Sequence, residues 1–246
     1  MDELGRAGGE GGRGLPATGE RTVPDLPSEN YWFRRHERAY RFAVRSARGT
    51  ILDVGSGEGY GAAALAGRGD VVALEFDAGS VLHASRRYPA LRLIRGDACR
   101  LPFRAGSFDV VVALQTLEHL VCADRFIAHS RALLRPGGVL ILTTPNRETF
   151  SPSGVVNPYH VYEYTADELD GLLRVHFERV YVRGVRAGAR LRLLDVMSGG
   201  SVQHRLMATP YEQLPARLRK ALERITARHF RLGRARGSLD LLAVAS

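Results

Sequence analysis

The sequence predicts an α/β protein built on a doubly wound parallel sheet, and three observations carry that expectation. Ile51-Leu52-Asp53-Val54 is an apolar run ending beside an acid, followed by the alternating glycines Gly55, Gly57, Gly59 and Gly61 and then by Ala62-Ala63-Ala64-Leu65-Ala66. That is a buried strand, a tight turn and a helix N-terminus, where α/β domains hold nucleotide-like ligands. A second strand, Asp70 to Asp77, carries Glu75 near its end, about 20 residues past the first glycine, where an acid can grip a ribose diol. Further strand signals follow at Leu91–Arg95, Phe108–Leu114 and Val139–Thr143, with a helical stretch from Asp124 to Leu134 between the last two.

The chain opens on a leader. Residues 1–28 are rich in glycine and charge without a periodic apolar pattern, so they are expected to be largely disordered. Thr18-Gly19-Glu20-Arg21-Thr22-Val23-Pro24 within them is placed to drape over a site. A helix follows, Tyr31 to Phe42, with apolar side chains recurring on one face. Its aromatics either clamp it to the sheet or cover a ligand. Tyr31, Trp32, Arg34 and His36 are its candidate substrate-binding residues.

The glycine loop needs φ > 0 and lets a ligand approach bare backbone. A dinucleotide fingerprint wants a third glycine where this chain has Tyr60, so the G-x-G-x-x-G register fails. A pyrophosphate gains nothing from an acid beside the turn, whereas Asp53 can hold an ammonium group directly or through water. The expected ligand is therefore cationic at one end, as the amino group and sulfonium of S-adenosylmethionine are. Its candidate contacts are Asp53, Gly55, Gly57, Gly59, Glu75 and Phe76, then Asp97 and Ala98 after the third strand, then Gln115 after the fourth. A carboxylate at Asp97 can accept from the exocyclic amine of adenine.

Asp53 with its loop, Glu75, Gly96-Asp97-Ala98, Phe108-Asp109-Val110-Val111-Val112 and Leu134-Arg135-Pro136-Gly137-Gly138 together resemble the class I S-adenosylmethionine-dependent methyltransferases over residues 50–146. The resemblance implies a Rossmann-like, seven-stranded sheet with an antiparallel last strand, helices on both faces, an N-terminal lid helix and S-adenosylmethionine as cofactor. Phe177–Val185 and Ser238–Ala245 alternate like the antiparallel pair that closes such a sheet. Residues 29–246 are expected to form one methyltransferase domain with an insertion at about 186–237. Within it Pro210 to Arg231 is expected to be helical, because Leu214, Leu218, Leu222 and Ile225 share a face. The insertion serves either the acceptor pocket or an oligomer contact, a homodimer included.

His119 follows the fourth strand at the ligand edge and reads as a base or as a structural hydrogen-bonding group. Asn157-Pro158-Tyr159-His160-Val161-Tyr162-Glu163-Tyr164 is an irregular aromatic loop leading to Thr165, whose Glu168 three residues on marks a capped helix start. His160 is a candidate catalytic base or acceptor contact, with Asn157, Tyr159 and Glu163 as substrate-binding neighbours. A metal site from His119, His160 and Glu163 is conceivable, but the spacing is not diagnostic and no metal is expected.

Composition narrows the class. There are 246 residues, 45% hydrophobic, enough for one sizeable core. No stretch approaches the ~18–20 apolar residues of a membrane span, and no signal peptide opens the chain. Two cysteines, Cys99 and Cys122, exclude a disulfide framework and point to a reducing cytoplasm. The net charge is +9, almost all of it arginine, with Lys220 the single lysine. Those bases are scattered and lack an interleaved aromatic platform, which favours a solvated face or an anionic substrate or membrane surface over nucleic acid.

The chain lacks an Asn-Pro-Pro-Tyr amine-methylating signature and a zinc–thiolate set, so elimination favours O-methylation. An alcohol acceptor needs a base, since a sugar hydroxyl is scarcely ionised at neutral pH. Segments outside the general motifs, Thr18–Pro24, Glu29–Glu37, Phe150-Ser151-Pro152 and Asn157–His160, resemble actinobacterial methyltransferases of intracellular glycans, those of methylglucose lipopolysaccharide and mycofactocin oligosaccharides included. The resemblance implies a glycan acceptor; a small-molecule or quinone methyltransferase, an RNA methyltransferase and a non-catalytic cofactor-binding regulator are the alternatives.

Overall fold

The computed structural model describes residues 22–246 except 153, 155 and 156; the expected leader up to Arg21 lies outside the described residues. Residues 22–29 end in a 3-10 turn at Pro27–Glu29, with Val23 buried. Helix α1, Asn30–Ser46, then leads into β1, Gly49–Val54. The glycine loop hands β1 to α2, Tyr60–Ala66, and the chain continues through β2, Gly69–Glu75, α3, Ala78–Arg87, β3, Arg92–Arg95, and β4, Phe108–Leu114. Helix α4, Ala123–Leu133, β5, Leu134–Pro145, and a short α5, Arg147–Phe150, complete this half.

Helix α6, Ala166–Arg174, opens on the capping box the sequence predicts: Thr165 accepts from the Glu168 N–H and Glu168 accepts from the Thr165 N–H. After it come β6, Val180–Ala187, α7, Ala189–Met197, α8, Val202–Ala208, α9, Ala216–Glu223, β7, Phe230–Gly233, and β8, Asp240–Ala245.

One sheet holds all these strands in the order β3-β2-β1-β4-β5-β8-β6-β7. β1 to β5 are mutually parallel, and β8 runs antiparallel to both β5 and β6. The order reverses between β1 and β4, the switch point at which doubly wound sheets open a crevice above their C-terminal strand ends. Core residues fill both faces: Leu52, Val111, Phe126, Leu140 and Leu169 on one, Ile51, Val112, Ile141, Leu65 and Ala43 on the other.

Three expectations are corrected. The sheet has eight strands, not seven, because Phe230–Gly233 adds an edge strand antiparallel to Gly184–Ala187. The expected helix over Pro210–Arg231 shrinks to Ala216–Glu223, started by Pro215 and followed by a 3-10 turn at Ala227–His229. Leu214, Leu222 and Ile225 still meet in one buried cluster with Phe230 and Tyr31, which is why their spacing reads as a helical face. Helix α1 is no separate lid: Phe33, Ala39, Tyr40 and Ala43 bury it against α2 and the sheet, and Trp32, Arg35, His36 and Tyr40 reach the crevice from it.

The cysteines also depart from expectation. Cys99 and Cys122 form a disulfide, with Cα atoms 5.8 Å apart, joining the 3-10 turn after β3 to the N-terminal end of α4. Two cysteines 23 residues apart give no framework by spacing; the fold brings them together at one sheet edge. Among the described residues no helix is long and apolar enough to cross a membrane.

Candidate functional site

Two cavities open side by side above the C-terminal strand ends, of about 470 and about 740 Å³, and both are lined by Thr22, His36, Gln115 and His119. Gln115 sits where they join, at φ 55°, a left-handed conformation costly for a side chain with a Cβ. Its N–H bonds the Thr143 carbonyl at 2.9 Å and its Nε2 the Thr143 hydroxyl at 3.1 Å, which hold that conformation.

The smaller cavity lies over the glycine loop. Gly55, Gly57, Glu75, Phe76, Asp97, Ala98 and Gln115, candidate cofactor contacts from the sequence, line it. Gly57 has φ 54°, and a Cβ there would point into open space, so the backbone is bare to a ligand. Its N–H donates to Glu75 Oε2 at 2.8 Å, while Glu75 Oε1 accepts from the Asp77 N–H at 2.9 Å. Phe76 is 70% exposed at the rim, an apolar face offered to a flat ring.

Two expected contacts stand back. Gly59 does not line the cavity: at φ 86° it caps α2, and a Cβ on it would meet Ala84 and Tyr88 at 3.1 Å. Asp53 is fully buried beneath the loop, with the Tyr40 hydroxyl 3.3 Å from Oδ2. Burial pushes its pKa up to about 8, which the Tyr40 bond opposes. Asp53 thus carries a proton until a cation arrives near it.

Acids gather at this one cavity, Glu58, Glu75, Asp77 and Asp97 lining it and Asp53 below, in a chain whose net charge is +9. That concentration suits a ligand bearing an ammonium and a sulfonium and repels a pyrophosphate. The residues fit S-adenosylmethionine, and the volume is that of a small-molecule pocket.

The larger cavity is walled by aromatics. Trp32 and Phe150 approach at 6.2 Å between ring centres, Phe150 and His160 at 5.3 Å, and His119 and His160 at 5.1 Å. Asn157, Tyr159, Trp32 and His36, four of the candidate substrate-binding residues, line it. The loop bearing His160 is anchored through backbone: the N–H groups of Val161 and Tyr162 donate to the Glu118 carbonyl at 2.7 and 3.2 Å. Glu163, fully inside, accepts from His160 Nδ1 at 2.8 Å instead of facing the cavity, so it orients the histidine. His119 Nδ1 pairs with the Tyr159 carbonyl at 2.8 Å. Burial drives His36 down to about 3, so this ring stays neutral.

Two helix residues are corrected. Tyr31 packs on Phe230 with 5.6 Å between ring centres, away from the cavity. Arg34 turns outward to Glu37 and Asn30, and Arg35 takes its place in the wall. Arg35 is buried and spends its fork on Asp240, Gln203 and the Leu239 carbonyl. The candidate residues also leave out Phe150, though its segment carries the glycan resemblance, and His204, Leu206 and Met207 of α8, by which the insertion reaches the cavity. The signal for Arg35 was helix phase: Tyr31, Phe33, Arg35 and Glu37 are all buried, so α1 is enclosed on more than one stripe.

A methyltransferase-domain family profile matches residues 52–142. A probable S-adenosylmethionine-dependent methyltransferase of Mycolicibacterium smegmatis is 46% identical over 193 residues, 76% of this chain and 75% of that one. One of Mycobacterium tuberculosis, also named as probable, is 40% identical over 244 residues, 94% of this chain and 89% of its own. Among solved structures, a possible histamine N-methyltransferase of Thermotoga maritima superposes with a TM-score of 0.61 at 18% identity, covering 87% of this chain and 92% of its own, which speaks to fold alone.

Proposed function

Because this chain belongs to the S-adenosylmethionine-dependent methyltransferases, we propose that its reaction is O-methylation of a sugar hydroxyl on an oligo- or polysaccharide. S-adenosylmethionine supplies an electrophilic methyl on a sulfonium, whose carbon–sulfur bond breaks as the new bond forms. Gly55, Gly57, Glu75, Phe76, Asp97, Ala98 and Gln115 would hold it, with Asp53 answering its ammonium end from below. The chain's task is then positioning, which carries most of such a displacement.

The observation that carries the acceptor reading is the His160–Glu163 pair, 2.8 Å apart, in the cavity that joins the cofactor cavity. Glu163 fixes the proton on Nδ1, leaving the Nε2 lone pair to take the proton of a hydroxyl. A carbanion or amine acceptor would not need that pair. The flat faces of Trp32 and Phe150 beside Asn157, Gln115 and His119 suit a pyranose, apolar on its C–H face and polar at its rim.

A cytoplasmic setting belongs to this reading, and the Cys99–Cys122 bridge is the feature that sits least easily with it. The test is purified enzyme with labelled cofactor, offered oligosaccharides from its own cells and, in parallel, a demethylated quinone and total RNA. Label in a sugar ether supports the proposal. Label only in quinone or RNA, or cofactor binding with no product, sinks it.

A further inference from the structure

Three side chains able to ligate a metal, from two segments distant in sequence, converge in the acceptor cavity. Glu118 and His119 stand on the 3-10 turn Leu117–His119 after β4, and His160 stands on the loop before α6. One ligand atom of each lies within 4.8 Å of the other two. Each histidine commits Nδ1 to an oxygen, His119 to the Tyr159 carbonyl and His160 to Glu163. An oxygen acceptor fixes the proton on Nδ1, so Nε2 carries the lone pair. This backing by carbonyl and carboxylate is the arrangement that orients metal-bound imidazoles.

Glu118 supplies an independent sign. Its side chain is 1% exposed, and Oε2 has no hydrogen-bond partner. A buried carboxylate oxygen without a donor is costly, and persists where something else answers its charge. Arg35 favours that charge through space but gives it no hydrogen bond, its fork being spent on Asp240, Gln203 and the Leu239 carbonyl.

We propose that Glu118, His119 and His160 bind a divalent first-row transition cation through one carboxylate oxygen and two imidazole Nε2 atoms, with its remaining positions open to the acceptor. Two imidazoles and one carboxylate suit zinc, cobalt, manganese or iron, whereas magnesium and calcium favour all-oxygen sets. With bonds of about 2.1 Å, tetrahedral ligand atoms sit about 3.4 Å apart, so atoms lying within 4.8 Å of one another must draw in by up to about 1.4 Å. His119 and His160 are carried by a short turn and a loop, segments that can give by that much.

The inference deepens the proposed function and rests on it only for what fills the open positions, neighbouring hydroxyls of a sugar. A hydroxyl ligated to the cation is acidified. Its proton passes to solvent in the open cavity, and the oxygen pair forms the bond to the methyl carbon while the sulfonium keeps the pair of the broken bond. Without the cation, His160 takes that proton. Cation-bound and cation-free enzyme are thus two states of one site.

The test is titration of chelator-stripped full-length protein with Co²⁺, read by visible absorption and calorimetry. Expected is one equivalent bound by wild type. Affinity should fall at least about 10-fold in His160→Ala and Glu118→Gln, and about 10–100-fold in Glu163→Gln, which weakens only the backing. His176→Ala, whose partner is Asp124, should match wild type. Binding of S-adenosylmethionine by each variant certifies its fold, and if His160→Ala fails that check, Glu163→Gln carries the comparison. No Co²⁺ binding at millimolar concentration, or equal binding by every variant, overturns the cation site. Sugar methylation with no cobalt binding removes the cation and leaves the acceptor reading; cobalt binding with no sugar methylated does the reverse.

Discussion

Glu163 meets Nδ1 of His160 at 2.8 Å with both side chains nearly out of solvent, 1% and 6% exposed. A buried carboxylate with one imidazole partner sets that ring's tautomer and direction, which a free loop histidine would lack. His160→Ala is expected to lower kcat by about 10²–10⁴-fold, the usual worth of a positioned proton acceptor. Glu163→Gln should cost about 10–100-fold, because a neutral amide still bonds but no longer fixes the proton. Neither should move the dissociation constant of S-adenosylmethionine, since neither residue lines the cofactor cavity. Steady-state kinetics beside calorimetry separates the two effects.

Asp53 makes cofactor binding a proton-linked event. Its pKa stands at about 8 in the folded chain through burial, against an ordinary 3.8. A nearby ammonium favours the carboxylate, so the complex binds fewer protons than the free protein between those values. Affinity for S-adenosylmethionine should therefore rise with pH up to about 8 and then level off, with up to one proton released per binding event near neutrality. Calorimetry in two buffers of different ionisation heat measures that release, and Asp53→Asn should abolish it. The unliganded fold shows the opposite trend at this group: the unfolded chain ionises Asp53 from about pH 4 while the folded one does not, so its contribution to stability falls as pH rises through that window.

The parts of this site written in one stretch of chain were legible from sequence. The strand–glycine–helix turn, Glu75 ending β2 and the Thr165–Glu168 box are local, each fixed by backbone geometry within a few residues. What sequence could not resolve depends on tertiary partners. Arg34 and Arg35 are adjacent and chemically equal, and only the way α1 packs in the fold turns the second inward to Asp240 of β8. Phe230–Gly233 is too short to declare itself as a strand until Gly184–Ala187 offers an edge. Glu118 was visible beside His119, but that its Oε2 is buried without a hydrogen-bond partner emerges only in the folded chain.

Arg35 and Asp240 form a buried pair, 1% and 2% exposed, linking α1 to the start of β8 beneath the acceptor cavity. Removing one partner leaves the other charge buried and unanswered. Arg35→Met is expected to cost about 3–5 kcal/mol, and Asp240→Leu a similar amount. The double variant should recover much of that loss, because the paired charges also pay for their own desolvation. Urea unfolding of the three variants checks it, and additive losses would count against a direct pair.

Gly61 lies on the first turn of α2 against the Tyr40 ring, where an added Cβ would stand 2.0 Å from Cζ. Gly61→Ala must displace a ring held between Tyr60 and Asp53. Overpacking of this kind costs about 1–3 kcal/mol. Because the same ring donates to Asp53, cofactor affinity should fall as well. Gly137→Ala is the contrast, with open space around the new methyl and φ 79°, so it should cost about 1–2 kcal/mol in backbone strain with affinity unchanged. Chemical denaturation and cofactor titration of both variants distinguish the cases.

The Cys99–Cys122 bridge ties together two walls of the cofactor cavity, for Cys99 follows Asp97 and Ala98 there, and Cys122 follows Leu120 and Val121. A loop of this length, with the cysteines 23 positions apart, should contribute about 3 kcal/mol by restricting the unfolded chain. Reduction is therefore expected to lower the unfolding midpoint and, by freeing the turn that carries Asp97, to weaken S-adenosylmethionine several-fold. Turnover at saturating cofactor should stay the same, since the acceptor cavity shares neither cysteine. Cys99→Ser with Cys122→Ser should reproduce the reduced protein and no longer respond to thiol. Melting curves and cofactor titrations with and without dithiothreitol decide it: an unchanged affinity would make the bridge a brace for α4 alone, and an unchanged midpoint as well would remove any role for it in the folded chain.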